Sequence, residues 1–172
     1  MTPAPNLYDS RIRLRPPQPS DGPFFIELYG DKEVMRHIPP FNTHLTPEDA
    51  LKRLQVLLNH WKLRNYGMFV VEDRKSGEPM GYCGLRYLKE VDAIELGSIF
   101  GKRSWGRGIG PDAAKLCMEY AKEALDVESM VSLTRPENNR SQKVLERLGF
   151  EHCPELDDTY HGCNHLFYLI HF

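Results

Sequence analysis

The spacing of hydrophobic and polar residues changes period along this chain, and each change marks an element. Residues 11–15 (Arg-Ile-Arg-Leu-Arg) alternate charged and apolar, the period of a half-buried strand. Ser20 then precedes Pro23 and the run Phe24, Phe25, Ile26, Leu28, which predicts a capped helix start. A short helix is expected over 31–37 and ends at Pro39-Pro40, because a residue before proline is driven out of helical geometry. Thr46-Pro47-Glu48-Asp49 is a helix N-terminus: a capping hydroxyl, proline at the first helical position and acids at the positive dipole end. Leu51, Leu54, Leu58 and Trp61 share one face of that helix, which should run to about Asn65.

From residue 67 the period becomes that of strands. Residues 67–73 and 79–88 flank the turn Lys75-Ser76-Gly77-Glu78 and predict a hairpin. Residues 93–100 form a third strand, and Gly97 inside it suggests a bulge or a close backbone approach. A helix follows, with Ala113, Cys117, Tyr120, Ala121 and Ala124 as its apolar stripe. Then come a strand at 130–134, a helix at 139–148 stopped by Gly149, and closing strands near 150–152 and 166–171. Antiparallel strands followed by a βαβ unit predict an α/β domain with a mixed, mostly antiparallel sheet of about seven strands and helices on both faces. Residues 1–10 read as a flexible N-terminus and 11–172 as one domain.

Bulk composition narrows the class without naming a function. The chain has 172 residues, 41% hydrophobic and 27% charged, enough for a packed core. A net charge of -2 leaves no electrostatic footprint for nucleic acid. The segment 1–10 has no apolar signal region, and no run approaches the length of a membrane span. Cys83, Cys117, Cys153 and Cys163 are widely spaced, which reads as reduced thiols in a cytoplasmic protein. His152, Cys153, His161, Cys163 and His165 match no zinc spacing, so no metal is expected; His161, Cys163 and His165 would share one face of a strand.

The chemistry concentrates in Trp105-Gly106-Arg107-Gly108-Ile109-Gly110-Pro111-Asp112, between a strand and a helix. Alternate glycines permit positive φ and close ligand approach, and free N–H groups at a helix start favour an anion. A pyrophosphate is the natural occupant. The segment lacks the Gly-Lys-Ser/Thr ending of a P-loop. It also lacks the third glycine and the following acidic strand end of a dinucleotide fingerprint.

This loop resembles the coenzyme A pyrophosphate loop of the GNAT superfamily of N-acetyltransferases, with Trp105 in place of the usual Arg or Gln. The segments at 11–15, 33–36, 81–85 and 95–97, and the stretch from Pro136 to Phe150, are similar in order to the branch containing the ribosomal-protein N-terminal acetyltransferases. The resemblance implies acetyl-CoA as co-substrate and no metal. It implies an amine acceptor, either a protein N-terminus or a small molecule, and a homodimer is in keeping with that branch. It also implies direct transfer without a covalent enzyme intermediate, since no cysteine has a nucleophile's setting. Cofactor contacts fall on Ser98, Ile99, Phe100, Trp105, Gly106, Arg107, Gly108, Ile109, Gly110, Pro111, Asn138 and Ser141. Leu145 occupies the position where many members carry an acidic tyrosine, so Ser141 is the substitute candidate for general acid. Glu95 is the candidate base. His37, Tyr82 and Arg86 are the substrate-side candidates. The competing expectation is an acyl-CoA-binding regulatory module without turnover.

Overall fold

The computed structural model describes residues 5–172. In chain order the elements are β1 (Leu7–Tyr8), β2 (Ile12–Arg15), α1 (Gly22–Tyr29), α2 (Pro47–Arg64), β3 (Met68–Asp73), β4 (Pro79–Leu88) and β5 (Ala93–Phe100). There follow α3 (Ile109–Ala124), β6 (Ser129–Thr134), α4 (Asn139–Arg147), β7 (Glu151–His152), β8 (Asp158–Tyr160) and β9 (Cys163–His171). The sheet runs β1-β2-β3-β4-β5-β6-β9-β7, with β8 paired to β9. Among the described residues, only the β5–β6 pairing is parallel.

Local chemistry accounts for most of these boundaries. Thr46 Oγ1 accepts the Asp49 N–H at 3.2 Å, and Asn65 ends α2 in the left-handed conformation. Along α2, Leu54 is buried as the periodicity predicts, but Leu51 is 44% exposed and Ala50 takes the inward position. Trp61 donates Nε1–H to Met68 O and packs edge-on against Phe69. The two strands beyond the expected seven are β1, which pairs with Arg13 and Leu14 and lies within the segment read as flexible, and β8.

Helices cover both faces. Ala113, Cys117 and Ala121 of α3 and Leu145 of α4 pack on one side with Ile12, Leu14, Phe69, Leu85 and Leu96. Phe25 and Leu28 of α1 and Leu54 of α2 pack on the other with Met68, Val70 and Tyr82. Consecutive strand residues face opposite sides, so Leu96 looks toward α3 while Glu95 and Ile99 look toward α1 and α2. Among the described residues, no helix is long and apolar enough to cross a membrane.

Candidate active site

The sheet comes apart along one seam. β5 pairs with β4 at every position from Gly81↔Phe100 to Leu88↔Ala93. With β6 it pairs only at Glu95↔Val131 and Leu96↔Ser132. Each strand then follows its other neighbour. β5 stays with β4, where Gly101 N–H donates to Met80 O at 2.8 Å. β6 stays with β9 out to Thr134↔Leu166, and Arg135 Nη1 donates to Asn164 O beyond it.

The gap exposes polar backbone. Leu96 O points to the β6 side, where it accepts from Ser132 Oγ at 2.9 Å. Backbone polar groups alternate sides along a strand, so Ser98 and Phe100 also turn theirs toward the gap, while Ile99 turns toward Tyr82 on β4. Phe100 O accepts Trp105 Nε1–H at 3.0 Å. On the β6 side Thr134 Oγ1 is buried with no hydrogen-bond partner among the described residues. Such an orphan costs roughly 1–3 kcal/mol, a cost that a ligand able to pair with it would offset.

The glycine loop opens at the end of the same seam. Gly106 and Gly108 both have φ of +73°, a conformation that glycine adopts without penalty. Among the described residues, no partner accepts the N–H groups of Gly106, Arg107, Gly108, Ile109 or Gly110. A Cβ on Gly106 would meet nothing within 4 Å. These amides surround the N-terminus of α3, where the helix dipole adds positive potential. Pro111 contributes no N–H. Arg11 fixes the loop through Nη1 to Arg107 O at 2.7 Å and Nη2 to Asp112 Oδ2 at 2.6 Å. The Arg11 contact also neutralises the Asp112 carboxylate, which would otherwise oppose an anion.

The βαβ crossover brings the start of α4 to the β6 end of the gap. Asn138 caps α4 by accepting the Ser141 N–H at 3.2 Å. Ser141 Oγ makes no hydrogen bond to a described residue and stays available.

At the closed end of the gap lies a charged cluster. Glu95 is 1% exposed. Its Oε2 accepts from Arg86 Nε at 2.8 Å and lies 2.9 Å from His161 Nε2, and its Oε1 accepts from Arg86 Nη2 at 2.9 Å. Burial acts to raise the Glu95 pKa; the His161 hydrogen bond and the charge and hydrogen bonds of Arg86 overcome it and hold the group at about 2. The carboxylate is thus ionised and fully engaged, a poor proton acceptor by itself.

Two of the substrate-side candidates are held by other residues of the chain. Tyr82 belongs to the core: its hydroxyl is 2.5 Å from the Tyr29 hydroxyl, and its ring stacks on Phe25 at 5.6 Å. Burial raises its pKa well above the usual tyrosine value. Arg86 lies opposite Glu95 in the β4–β5 register and is committed to it, over the space that Gly97 leaves. His37 closes a 3-10 turn at Val34–His37; burial and Arg36 lower its pKa, Glu137 opposes them and Arg135 adds to the lowering.

His161 was missed as a site residue. It is not in a strand with Cys163 and His165 but in the β8–β9 turn, with φ of +51° beside Gly162 at +81°. That turn swings its ring onto Glu95. The His161-Gly162 pair ahead of an alternating run was the available hairpin signal. Among the described residues, no group of three or more His, Cys, Asp or Glu is placed to hold a metal ion.

An open parallel seam ending at a helix start with unpaired amides among the described residues has the shape and polarity that suit an extended, phosphate-bearing co-substrate. Residues 11–151 match the family model of the acetyltransferase (GNAT) domain. The chain is 26% identical over 148 residues to the uncharacterized N-acetyltransferase p20 of Bacillus licheniformis, covering 84% of this chain and 82% of that protein. An acetyltransferase from Agrobacterium tumefaciens strain C58 superposes with a TM-score of 0.83 at 24% identity, covering 98% of this chain and 95% of that one. RimL, a ribosomal L7/L12 alpha-N-protein acetyltransferase solved in complex with coenzyme A, superposes at 0.78 with 17% identity, covering 97% and 98%. The chain belongs to the GNAT acetyltransferase family and is an acetyl-CoA-dependent acyltransferase.

Proposed function

We infer that the protein transfers the acetyl group of acetyl-CoA directly to a primary amine, either the α-amine of a protein N-terminus or a small-molecule amine. The observation that carries this reading is that the Ser98 backbone, the Phe100 N–H, the five amides at 106–110 and the Thr134 hydroxyl lie along one continuous path without a partner among the described residues. Each lacks a partner that an extended pantetheine-diphosphate would supply. Acetyl-CoA brings a thioester, whose carbon accepts an amine and whose sulfur is a fair leaving group.

The chain's own residues divide the work. The amides of Gly106, Arg107, Gly108, Ile109 and Gly110 hold the diphosphate. The backbone of Ser98 and Phe100 holds the pantetheine as an added strand would be held. Ser98 N–H is the donor offered to the acetyl oxygen as negative charge grows there; a comparable donor contributes roughly 3–4 kcal/mol in other acyl transfers. Ser141 Oγ at the start of α4 is the group available to protonate the departing sulfur. Holding both reactants in one cleft supplies the rest through orientation.

The test is thiol release from acetyl-CoA over a panel of small amines and short peptides with free N-termini. Release with at least one class is expected, and the arms separate small molecules from polypeptide acceptors. Tight coenzyme A binding with no release for any amine would overturn the reading in favour of a regulatory module.

A further inference from the structure

The Glu95–His161 contact has a chemical consequence beyond its contribution to packing, and the following rests on the amine-acetylating reading above. Glu95 is an acceptor only, because the paired Arg86 guanidinium keeps it ionised against the opposing effect of burial. A neutral His161 must therefore carry its proton on Nε2, the nitrogen 2.9 Å from Glu95 Oε2. That leaves the lone pair on Nδ1, which makes no hydrogen bond to a described residue. The side chain of His161 keeps 34% of its surface open, while that of Glu95 keeps 2%. A buried carboxylate thus orients an open imidazole and fixes its tautomer, the division of labour that makes histidine a competent base.

Position completes the case. Glu95 is paired to β6 one residue before the strands separate, so its partner His161 stands at the closed end of the gap. Glu95 projects on the α1/α2 face, opposite the α3 face where Leu96 packs. The ring lies edge-on to His165 at 6.0 Å, and His165 in turn bonds Cys163 O through Nδ1. The charged and titratable groups around it are Glu95, Arg86 behind Glu95, His165, Cys163 and Arg135, whose Nη1 bonds Asn164 O in the same hairpin.

We propose that His161 is the catalytic base: its Nδ1 removes a proton from the acceptor ammonium at the closed end of the β5–β6 gap, with Glu95 and Arg86 as positioning residues. One ammonium proton passes to Nδ1 and frees the nitrogen lone pair. That pair forms the C–N bond, the C–S bond breaks with its electrons on sulfur, and the surplus N–H proton goes to sulfur to give the free thiol. The imidazolium then releases its proton to solvent through its open edge.

Two experiments on the full chain decide this. In steady-state kinetics, His161→Ala should lose roughly 10²–10⁴-fold in kcat/KM with coenzyme A affinity little changed. His161→Gln keeps an N–H for Glu95 but has no basic nitrogen lone pair, so it should stay as slow as the alanine variant. A glutamine variant at wild-type rate would show that the contact is structural and overturn the proposal. Independently of turnover, long-range 1H–15N NMR should show the His161 proton on Nε2, with that preference lost in Glu95→Gln. A proton found on Nδ1 would sink the proposal whether or not any amine is acetylated. Absence of acetylation by the wild-type chain would instead count against the amine-transfer reading.

Discussion

The two seams of β5 are built from the same strand and do opposite things. Toward β4 it is paired at eight successive positions, from Gly81↔Phe100 to Leu88↔Ala93. Toward β6 it is paired at two. The closed seam uses glycine to bring backbones together: a Cβ on Gly81 would press on the Ile99 carbonyl oxygen and come within 2.8 Å of Phe100 Cα. The open side uses glycine to leave polar groups free, at Gly106 and Gly108. One residue type therefore serves stability in one place and ligand access in the other, and substitution separates the two.

The largest expected effect falls on the closed seam. Gly81→Ala should cost about 3 kcal/mol, since backbone rather than a flexible side chain must yield. A melting temperature lower by roughly 6–12 °C is the readout, with coenzyme A affinity of the folded fraction unchanged. Equal losses of stability and affinity would mean that the seams are not independent.

A comparable quantity is stored where the seams meet. The Glu95 pKa is held at about 2 against an ordinary value of 4.5. A carboxyl depressed by folding contributes stability that is complete above its unfolded pKa and is lost as pH falls toward its folded one. Acid titration of wild-type stability should therefore show a loss on the order of 3 kcal/mol between about pH 5 and pH 2 that is missing in Glu95→Gln. An unchanged slope in that variant would remove the ion pair from the account.

On the open side, Gly108→Val places a β-branched residue at φ of +73° and brings a Cβ to 3.3 Å from Arg11 Nη2. Coenzyme A affinity should fall by about 100-fold or more, or about 2.7 kcal/mol, while the sheet remains folded by circular dichroism. The smallest effect has two signs. Thr134→Val removes a buried hydroxyl that has no partner among the described residues, so the ligand-free protein should gain about 1 kcal/mol in stability. The same change should weaken coenzyme A binding several-fold, measured by calorimetry.

The sequence made the local features of this contrast legible and left the long-range ones hidden. The α2 cap at Thr46, the Lys75–Glu78 hairpin and the glycine-rich start of α3 each depend on neighbours in the chain, so residue types alone carried them. The sequence puts 98–100 on one strand, but which of them face the gap depends on register with β4 and β6. Tyr82 alternated along a strand as a groove residue would, yet Phe25 and Tyr29 arrive from α1 and bury it. His161 required a turn near the end of the chain to reach Glu95, 66 residues earlier in sequence.

A crystal structure of the acetyl-CoA complex tests the central claim most directly. The account places diphosphate oxygens within hydrogen-bond distance of the amides of residues 106–110, and the pantetheine along Ser98 and Phe100 with Thr134 Oγ1 paired. A complex in which β5 and β6 zip together beyond Leu96 while the cofactor lies elsewhere would contradict it.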